Sequence, residues 1–464
     1  MKKTLYLLFV FIISVNYSFG DGVESSSENQ ETKPKNVLFI IVDDLNTTLG
    51  TYGHPTVLTP NIDKLADQGI QFNNAYCNYA VCNPSRSSFL TGVRPETIGI
   101  IDNKTRLQSV LGDKITLPHL FRKNGYYTVS LGKIFHGRNE HNDPKAWDEN
   151  YTFSTTELGQ KGEGRNITEG ELKWCRWRAA EGSDADQQDG QIADKAIEII
   201  KSQNDKPFFL AVGFHKPHDP FVAPKKYFDQ YPLVACDPPI LPEGWTPPYA
   251  HSLPGQTAVF GKFTDQDKRE FLRSYYACTS FMDAQVGKVL NALKEENLME
   301  NTLIVFLGDH GYHLGEHEWW NKVTIYEKGH RAPLIIVNGD KRVSGIETNA
   351  MIEFVDFYPT LADICQLKNV PDYLEGESFR KVLENPLTSF RDVVYGIIRR
   401  GQMMGKTVKT KDWRYIEWDN GKKGTELYNE HIDPLEYNNL SGNKKYDNVE
   451  GMMKKLLDQY RVDL

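Results

Sequence analysis

The chain has 464 residues, 39% of them hydrophobic, which is enough for one large domain with a smaller one or for three ordinary domains. Its formal net charge is −8. A surface this acidic argues against nucleic acid or an anionic membrane as the main partner. Any anionic ligand must therefore be held by a local cationic pocket.

Residues 1–20 have the pattern of a secretory signal peptide, with two lysines, an apolar run and small residues near a cleavage site. The apolar run is too short to span a bilayer, and no cysteine follows it to carry a lipid. We therefore predict no membrane anchor and a periplasmic or secreted protein. Residues 21–35 are predicted to form a polar, disordered tether.

The cysteine content does not indicate a disulfide scaffold. Six cysteines in so long a chain match no zinc-binding spacing, and at most one or two bridges are expected. The cysteines are Cys77, Cys82, Cys175, Cys236, Cys278 and Cys365.

Short apolar runs alternate with helical patterns over about 350 residues. The runs "NVLFIIVDD", "YYTVSLGK", "PFFLAVGF" and "TLIVFLGDHG" predict buried parallel strands. The segments "TPNIDKLADQGIQF", "DGQIADKAIEIIKSQ" and "FLRSYYACTSFMDAQVGKVLNALKEEN" predict helices. This order predicts an α/β fold with a large, mostly parallel sheet covered by helices on both faces, and with ligands beyond the carboxyl ends of the strands.

The pattern changes near residue 385. Short strands such as "DVVYGIIRR" and "WRYIEW" follow one another, and "VEGMMKKLLDQYRV" predicts a closing helix. We predict a catalytic domain over residues 36–385 and an α+β subdomain with an antiparallel sheet over residues 386–464. The Pro- and Gly-rich residues 236–256 are expected to form a long ordered loop, which could be a wall of the site.

Two pairs of possible metal ligands follow predicted strands, the carboxylates Asp43 and Asp44 and the carboxylate–imidazole pair Asp309 and His310. Acids at strand ends often only cap helices. Brought together at one sheet edge, however, these groups would suit a hard divalent cation, with Ca²⁺ favoured by the oxygen ligands.

Cys82 lies in "CNPSR" ahead of a predicted helix, where backbone donors and Arg86 could hold an anion. The alternative is a buried free cysteine. Three further runs at strand ends could supply a positive pocket, although each histidine alone is more typical of a structural role. They contain Lys133 and His136; His215, Lys216 and His218; and His313, His317 and Lys322.

In combination these motifs resemble the type I sulfatases. "CNPSR" followed by "SSFLTG" is similar to the signature in which the cysteine is oxidised to formylglycine, and "ELYNEHIDPLEYNNL" is similar to the closing motif of that family. The runs "GKIFH", "HKPHDPF" and "DHGYHLGEH" resemble the iduronate-2-sulfatase branch. The resemblance extends over nearly the whole mature chain and implies an alkaline-phosphatase-like fold.

The resemblance also implies roles for individual residues. Cys82 would become the formylglycine nucleophile through a formylglycine-generating enzyme and would lie beside the metal. Arg86 would steady it, His136 would assist breakdown of the sulfated intermediate, and His215 would protonate the leaving group. Lys133 and Lys322 would contact sulfate oxygens. One calcium ion would be bound by Asp43, Asp44, Asp309 and His310, together with the formylglycine made from Cys82.

The implied activity is that of an exported, exo-acting sulfatase on oligosaccharides from ulvan, carrageenan or glycosaminoglycans. Two alternatives remain open: a phosphodiesterase or phosphonate monoester hydrolase on the same fold, and a non-catalytic sulfoglycan-binding protein with unconverted Cys82. Sugar choice is assigned to loops over residues 138–188 and 235–262. There "KWCRWRAAEG" offers Arg176 and Arg178 for carboxylates and Trp174 and Trp177 for stacking, although a helix face packed on the core is an equal alternative.

Overall fold

The computed structural model describes residues 35–137, 139–202, 206–339 and 343–460. The predicted signal peptide and all but the last residue of the predicted tether lie outside these ranges. The fifteen strands of the described part are β1 Asn36–Val42, β2 Ile70–Tyr76, β3 Tyr127–Gly132, β4 Glu149–Tyr151, β5 Gly162–Asn166, β6 Arg176–Ala180, β7 Phe208–Phe214, β8 Phe221–Pro224, β9 Thr302–Gly308, β10 Leu334–Asn338, β11 Ile346–Glu353, β12 Val394–Arg400, β13 Met403–Lys409, β14 Trp413–Trp418 and β15 Thr425–Asn429.

The helices that accompany these strands range from one turn to 31 residues. They are α1 Pro60–Ala66, α2 Cys82–Thr91, α3 Pro95–Ile98, α4 Leu107–Val110, α5 Leu117–Lys123, α6 Gln188–Lys201, α7 Lys225–Phe228, α8 Thr257–Phe260, α9 Asp265–Glu295, α10 Glu327–His330, α11 Phe357–Ile364, α12 Arg380–Glu384 and α13 Asp447–Asp458. Within the described ranges, no helix has both the length and the apolar character needed to cross a membrane.

The largest sheet has eight strands in the order β11-β2-β10-β9-β1-β7-β3-β4. The pairs β9-β1, β1-β7, β7-β3, β3-β4 and β2-β11 are parallel, and only β10 runs against its two neighbours. The predicted large, mostly parallel sheet is therefore confirmed. Because its central strands β9, β1, β7 and β3 share one direction, their carboxyl ends lie at one edge.

Strand β1 is buried on both faces, which explains its uninterrupted apolar sequence. Its odd-numbered residues, such as Phe39, pack with residues of α2, α5 and α11. Its even-numbered residues, such as Ile40, pack with α1, α6 and α9. Successive side chains of a strand point to opposite faces, so this single strand contributes to both hydrophobic layers.

A three-stranded sheet in the order β5-β6-β8 was not predicted. It includes residues 162–166 and 176–180, so the description of residues 138–188 as a loop was wrong in part. The segment around Arg176 forms strand β6, which pairs with β5 and β8, and is not a helix face. Strand pairing between distant segments, here β6 with β8, overrides any local helical pattern.

The carboxyl-terminal region contains the predicted antiparallel sheet, in the order β12-β13-β14-β15, followed by α13. The boundary near residue 385 stays a prediction. Residues 236–256, expected to form an ordered loop, contain neither helix nor strand.

All six cysteines lie within the described ranges, and all are free thiols. This result lies within the predicted limit of at most one or two disulfide bridges. Burial disfavours the thiolate and raises the pKa of Cys236 to about 11 and that of Cys278 to about 12. These buried thiols behave as small apolar side chains.

Candidate active site

Four polar residues follow the last residues of four adjacent parallel strands. The backbone register aligns Val42 of β1 with Gly308 of β9 and with Phe214 of β7. In the same way Gly132 of β3 aligns with Gly213 of β7. The next residues along each strand are Asp43, Asp309, His215 and Lys133. The sheet register therefore brings together side chains from positions far apart in sequence.

Cys82 is the first residue of α2, and the ten residues of this helix are buried. The helix ends at Gly92, whose positive φ of 68° favours glycine. Near its beginning, the Ser85 hydroxyl donates a hydrogen bond to the carbonyl of Asp309. This contact ties the amino end of α2, where backbone N–H groups favour anions, to the carboxyl end of β9.

The Cys82 thiol is in contact with a cation and an imidazole. Lys322 Nζ lies 2.9 Å from Cys82 Sγ, and His310 Nε2 lies 3.5 Å from it. Burial opposes ionisation of the thiol, but the charges of Lys133 and Lys322 outweigh it and hold the pKa of Cys82 well below its usual value. His136 contributes to the same lowering. The position thus stabilises negative charge on the atom attached to Cys82 Cβ.

Arg86 is fully buried and holds two strand ends together. Its Nε donates to Asp309 Oδ2 at 2.8 Å, and one terminal nitrogen lies 3.4 Å from Asp43 Oδ1. The other terminal nitrogen donates to the carbonyls of Lys133 and Ile134, the latter at 3.1 Å. Arg86 therefore uses its whole guanidinium group to position its neighbours.

The carboxylates of Asp43 and Asp44 each contact one lysine. Lys133 Nζ donates to Asp43, and Lys322 Nζ donates to Asp44. Burial would raise the pKa of Asp43, but Lys133 and Arg86, with His218, lower it well below its usual value. Burial likewise opposes the charge of Lys322, and the Asp44 carboxylate raises its pKa well above the usual value. These pairs make a compact network of buried charges.

The donor set fits a divalent cation. Ligand atoms from Asp43, Asp44, Cys82 and His310 all lie within 4.8 Å of one another. Within the described part of the chain, Asp44 Oδ2 is buried without a hydrogen-bond partner. His310 Nδ1 lies 2.9 Å from the carbonyl of Gly311, to which it can donate, and Nε2 faces the Cys82 thiol and the carboxylates, where it could bind a metal.

Asp309, the fourth predicted metal ligand, lies beside this group. Its Oδ1 is 3.5 Å from His310 Nε2 and accepts a hydrogen bond from the Asp44 backbone N–H at 3.1 Å. Its other oxygen is bound by Arg86. Burial raises the pKa of Asp309 to about 6, with His310 and Arg86 opposing the shift.

His215 is at the edge of the site and is oriented by Asp189 of α6. His215 Nδ1 lies 3.1 Å from Asp189 Oδ1, which also accepts the His215 backbone N–H at 2.9 Å. This arrangement directs Nε2 away from the carboxylate. His215 lines a cavity of about 560 Å³ with Lys133, and both also line a neighbouring cavity of about 490 Å³ that contains His136.

The structure adds two residues to the site: His218, which the sequence placed only in a candidate cationic run, and Asp189, which it did not single out. His218 Nε2 lies 3.8 Å from Asp44 Oδ2 and 3.9 Å from Asp43 Oδ2. Although burial opposes it, these two carboxylates raise the pKa of His218 to about 9. The "HKPH" run was a signal for this residue. Asp189 carried none, because it lies inside a helical pattern.

Other members of the histidine and lysine runs have structural partners, although Lys216 also lines the cavity of about 560 Å³. Lys216 Nζ donates to the carbonyls of His218 and Pro220. His313 bonds to Thr324, and His317 bonds to the carbonyl of Glu436. For His313 and His317 the structural role is therefore the observed one.

A large parallel sheet with helices on both faces, carrying a cysteine beside acidic and cationic groups at its carboxyl edge, is the arrangement of alkaline-phosphatase-like sulfatases. The Sulfatase family model matches residues 35–367. A model described as "N-sulphoglucosamine sulphohydrolase, C-terminal" matches residues 315–463. The chain therefore belongs to the Sulfatase family and is a sulfuric ester hydrolase.

Individual proteins are similar over most of the chain. A protein of Formosa agariphila named "Sulfatase" is 32% identical over 485 residues, covering 98% of this chain and 92% of that protein. Iduronate 2-sulfatase of Mus musculus is 35% identical over 410 residues, covering 76% and 73% respectively. The solved structure of a protein in complex with its substrate D-glucosamine-2-N,6-O-disulfate has a TM-score of 0.73 at 25% identity, covering 92% of this chain and 97% of that one.

Proposed function

We propose that this chain is an exported, exo-acting sulfatase that removes sulfate from sulfated saccharides by means of a formylglycine made from Cys82. The observation that carries the proposal is the position of Cys82, a buried residue at the amino end of α2 in contact with Lys322 and His310. The similarity to iduronate 2-sulfatase and to a protein with a disulfated glucosamine substrate supports a saccharide as the substrate.

Two groups complete this site in the proposed enzyme. Formylglycine, made by a formylglycine-generating enzyme, supplies a hydrated aldehyde, a nucleophile that can expel sulfate and be regenerated, as serine cannot. Asp43, Asp44, Asp309 and His310 would hold one calcium ion, which when bound stabilises negative charge on oxygen. The unpartnered Asp44 Oδ2 and the orientation of His310 support this assignment.

The cations of the site offset the charge of the sulfuryl group. Lys322 is buried in contact with the Cys82 side chain, and the partly buried Lys133 lowers the pKa of the same thiol. Both lysines would contact sulfate oxygens in the transition state. Arg86 is saturated by protein contacts, so its contribution is to hold Asp43 and Asp309 in place.

Proton transfer is assigned to two histidines. His215 would protonate the departing sugar oxygen from Nε2, because Asp189 occupies its Nδ1. His136 would take up a proton when sulfate is released, since it lies close enough to influence the Cys82 thiol. The nucleophilic position is only 1% exposed, which favours a terminal sugar over the middle of a polymer.

The test is sulfate release, measured by ion chromatography on protein whose Cys82 has been confirmed as formylglycine by peptide mass. Substrates are lyase-digested ulvan, carrageenan oligosaccharides, and heparin and dermatan disaccharides. Release from one class, abolished by Cys82→Ala, supports the proposal. Turnover of an aryl phosphodiester with no sulfate release from any substrate contradicts it, as does an unmodified thiol in protein from the native host.

A further inference from the structure

Strand β6 presents two arginines to the cavity beside the proposed catalytic groups. Arg176 and Arg178 both line the cavity of about 560 Å³ that contains Lys133 and His215. Residues at i and i+2 of a strand lie on the same face, so the two guanidinium groups share one wall. Trp177, between them, faces the other way, where its Nε1 donates to Glu270 at 2.9 Å and its ring packs 5.6 Å from Phe228.

The strand ladder connects this wall to the catalytic segment. Strand β8 begins three residues after His218 and pairs in parallel with β6, with Trp177 opposite Phe221 and Arg178 opposite Val222. Val222 lines the same cavity. Because main-chain hydrogen bonds fix this register, the arginines have a defined position relative to His215 and His218.

The charges of these arginines are not used by the protein. Within the described ranges, neither Arg176 nor Arg178 forms an ion pair with a carboxylate, and Arg178 donates only to the carbonyl of Gln160. Arg165 on the neighbouring strand β5 differs, because it pairs with Asp267 and Glu270. The chain has a net charge of −8, so two arginines without a carboxylate partner on one cavity wall form a local positive site. Such a site favours an anionic ligand.

We infer that Arg176 and Arg178 bind a second anionic group of the saccharide, a carboxylate or a sulfate, while the first sulfate occupies the site at Cys82. This inference rests on the proposed function and defines its substrate class as saccharides with at least two anionic groups. Guanidinium groups bind both kinds of anion through paired N–H donors. Three carboxylates also line this cavity, those of Asp43, Asp189 and Asp219. Lys133 engages the first, the His215 segment the second and the His218 ring, 3.7 Å away, the third, so they do not neutralise the arginines.

The test compares three substrates on the full, formylglycine-containing enzyme. 4-Nitrophenyl sulfate has one anionic group, iduronic acid 2-sulfate adds a carboxylate, and D-glucosamine-2-N,6-O-disulfate adds a second sulfate. For Arg176→Gln/Arg178→Gln we expect kcat/KM to fall by about 10- to 100-fold on a dianionic substrate, mainly through KM. Turnover of 4-nitrophenyl sulfate should stay within about twofold. Lys173→Gln, which removes one positive charge from an exposed position outside the cavity, is the surface control and should leave all three activities unchanged.

Each outcome decides the inference. If kcat/KM falls only for iduronic acid 2-sulfate, the arginines form a carboxylate subsite. If it falls only for D-glucosamine-2-N,6-O-disulfate, they form a sulfate subsite. Equal losses on all three substrates, or no loss on either saccharide, overturn it.

A binding measurement separates this inference from the proposed function. Titration calorimetry on Cys82→Ala with the same two saccharides needs no turnover. Weaker binding in Cys82→Ala/Arg176→Gln/Arg178→Gln supports the subsite even if no sulfate is released. Unchanged or undetectable saccharide binding in Cys82→Ala overturns the subsite, whereas an inactive wild-type enzyme with converted Cys82 contradicts the proposed function.

Discussion

Lys322 Nζ lies 2.9 Å from Cys82 Sγ and also donates to the carboxylate of Asp44. These residues come from three separate parts of the chain: the end of β1, the start of α2 and the segment after β9. The sulfur occupies the position that a formylglycine oxygen would take. One buried ammonium therefore links the proposed nucleophile to the proposed metal site.

The first prediction concerns Lys322. We expect Lys322→Met to lower kcat by about 100- to 1,000-fold, because a preorganised cation beside the reacting group is removed. The measurement is sulfate release at saturating substrate, with Cys82 conversion verified in each preparation. Lys262→Met, at an exposed lysine paired with Glu171, is the control and should retain full activity. A Lys322→Met enzyme with wild-type kcat would remove this residue from the mechanism.

The second prediction concerns calcium. A metal that binds only the folded protein stabilises it by about 2.7 kcal/mol at 100 times its Kd. We therefore expect calcium to raise the Tm of the chelator-treated protein and Asp44→Asn to abolish that increase. Asp283→Asn changes a buried carboxylate that is bonded to Asn61 and Ile62 of α1 and not to the site residues, so it should leave the calcium response intact. Equal calcium responses of the wild type and Asp44→Asn would contradict the assigned ligands.

The third prediction concerns the stability provided by Arg86. We expect Arg86→Lys to lower the free energy of unfolding by about 3–5 kcal/mol, because lysine cannot make the contacts to Asp309, Asp43 and two carbonyls. Urea unfolding monitored by circular dichroism measures this. Arg380→Lys, at a half-exposed arginine, should cost less than about 0.5 kcal/mol. Similar losses of unfolding free energy in the two variants would show that the contacts of Arg86 do not stabilise the fold.

The fourth prediction concerns acid stability. His317 is 1% exposed, stacks on Tyr326 with ring centroids 4.5 Å apart, and donates from Nε2 to the carbonyl of Glu436. Burial disfavours its charged form and lowers its pKa to about 4. An unfolded histidine titrates near 6.5, so the folded state binds fewer protons between these values. The stability due to this group is therefore present above about pH 6.5 and is lost as the pH falls towards about 4.

A variant can isolate that contribution. A pKa of about 4 in place of about 6.5 corresponds to a loss of about 3 kcal/mol of unfolding free energy between pH 7 and pH 4. His317→Gln should be less stable at pH 7 and should have a smaller decline in unfolding free energy between pH 6.5 and 4. Urea titrations across this range measure both effects. A decline as steep as that of the wild type would assign the acid sensitivity to other groups, such as His313 and His330, whose pKa values are also lowered by burial.

The comparison of sequence with structure separates local signals from long-range ones. Strands β1, β3, β7 and β9 could be predicted because burial on both faces requires a continuous apolar run. Helices α6 and α9 could be predicted because burial of one face requires apolar residues at helical spacing. The ladder of β5, β6 and β8 could not, because its strands are short and partly exposed, and their pairing depends on distant partners.

The sequence by itself therefore determined the family, the layered α/β architecture and the identity of the candidate site residues, because strand-end motifs and the "CNPSR" signature are local. Only the tertiary structure decided which of those residues meet. The aligned ends of four parallel strands place Asp43 by Arg86 and Lys133. The same fold adds His218 and Asp189 and turns Arg176 and Arg178 towards the cavity. Such contacts depend on which distant segments pair with one another, and local motifs do not show those partners.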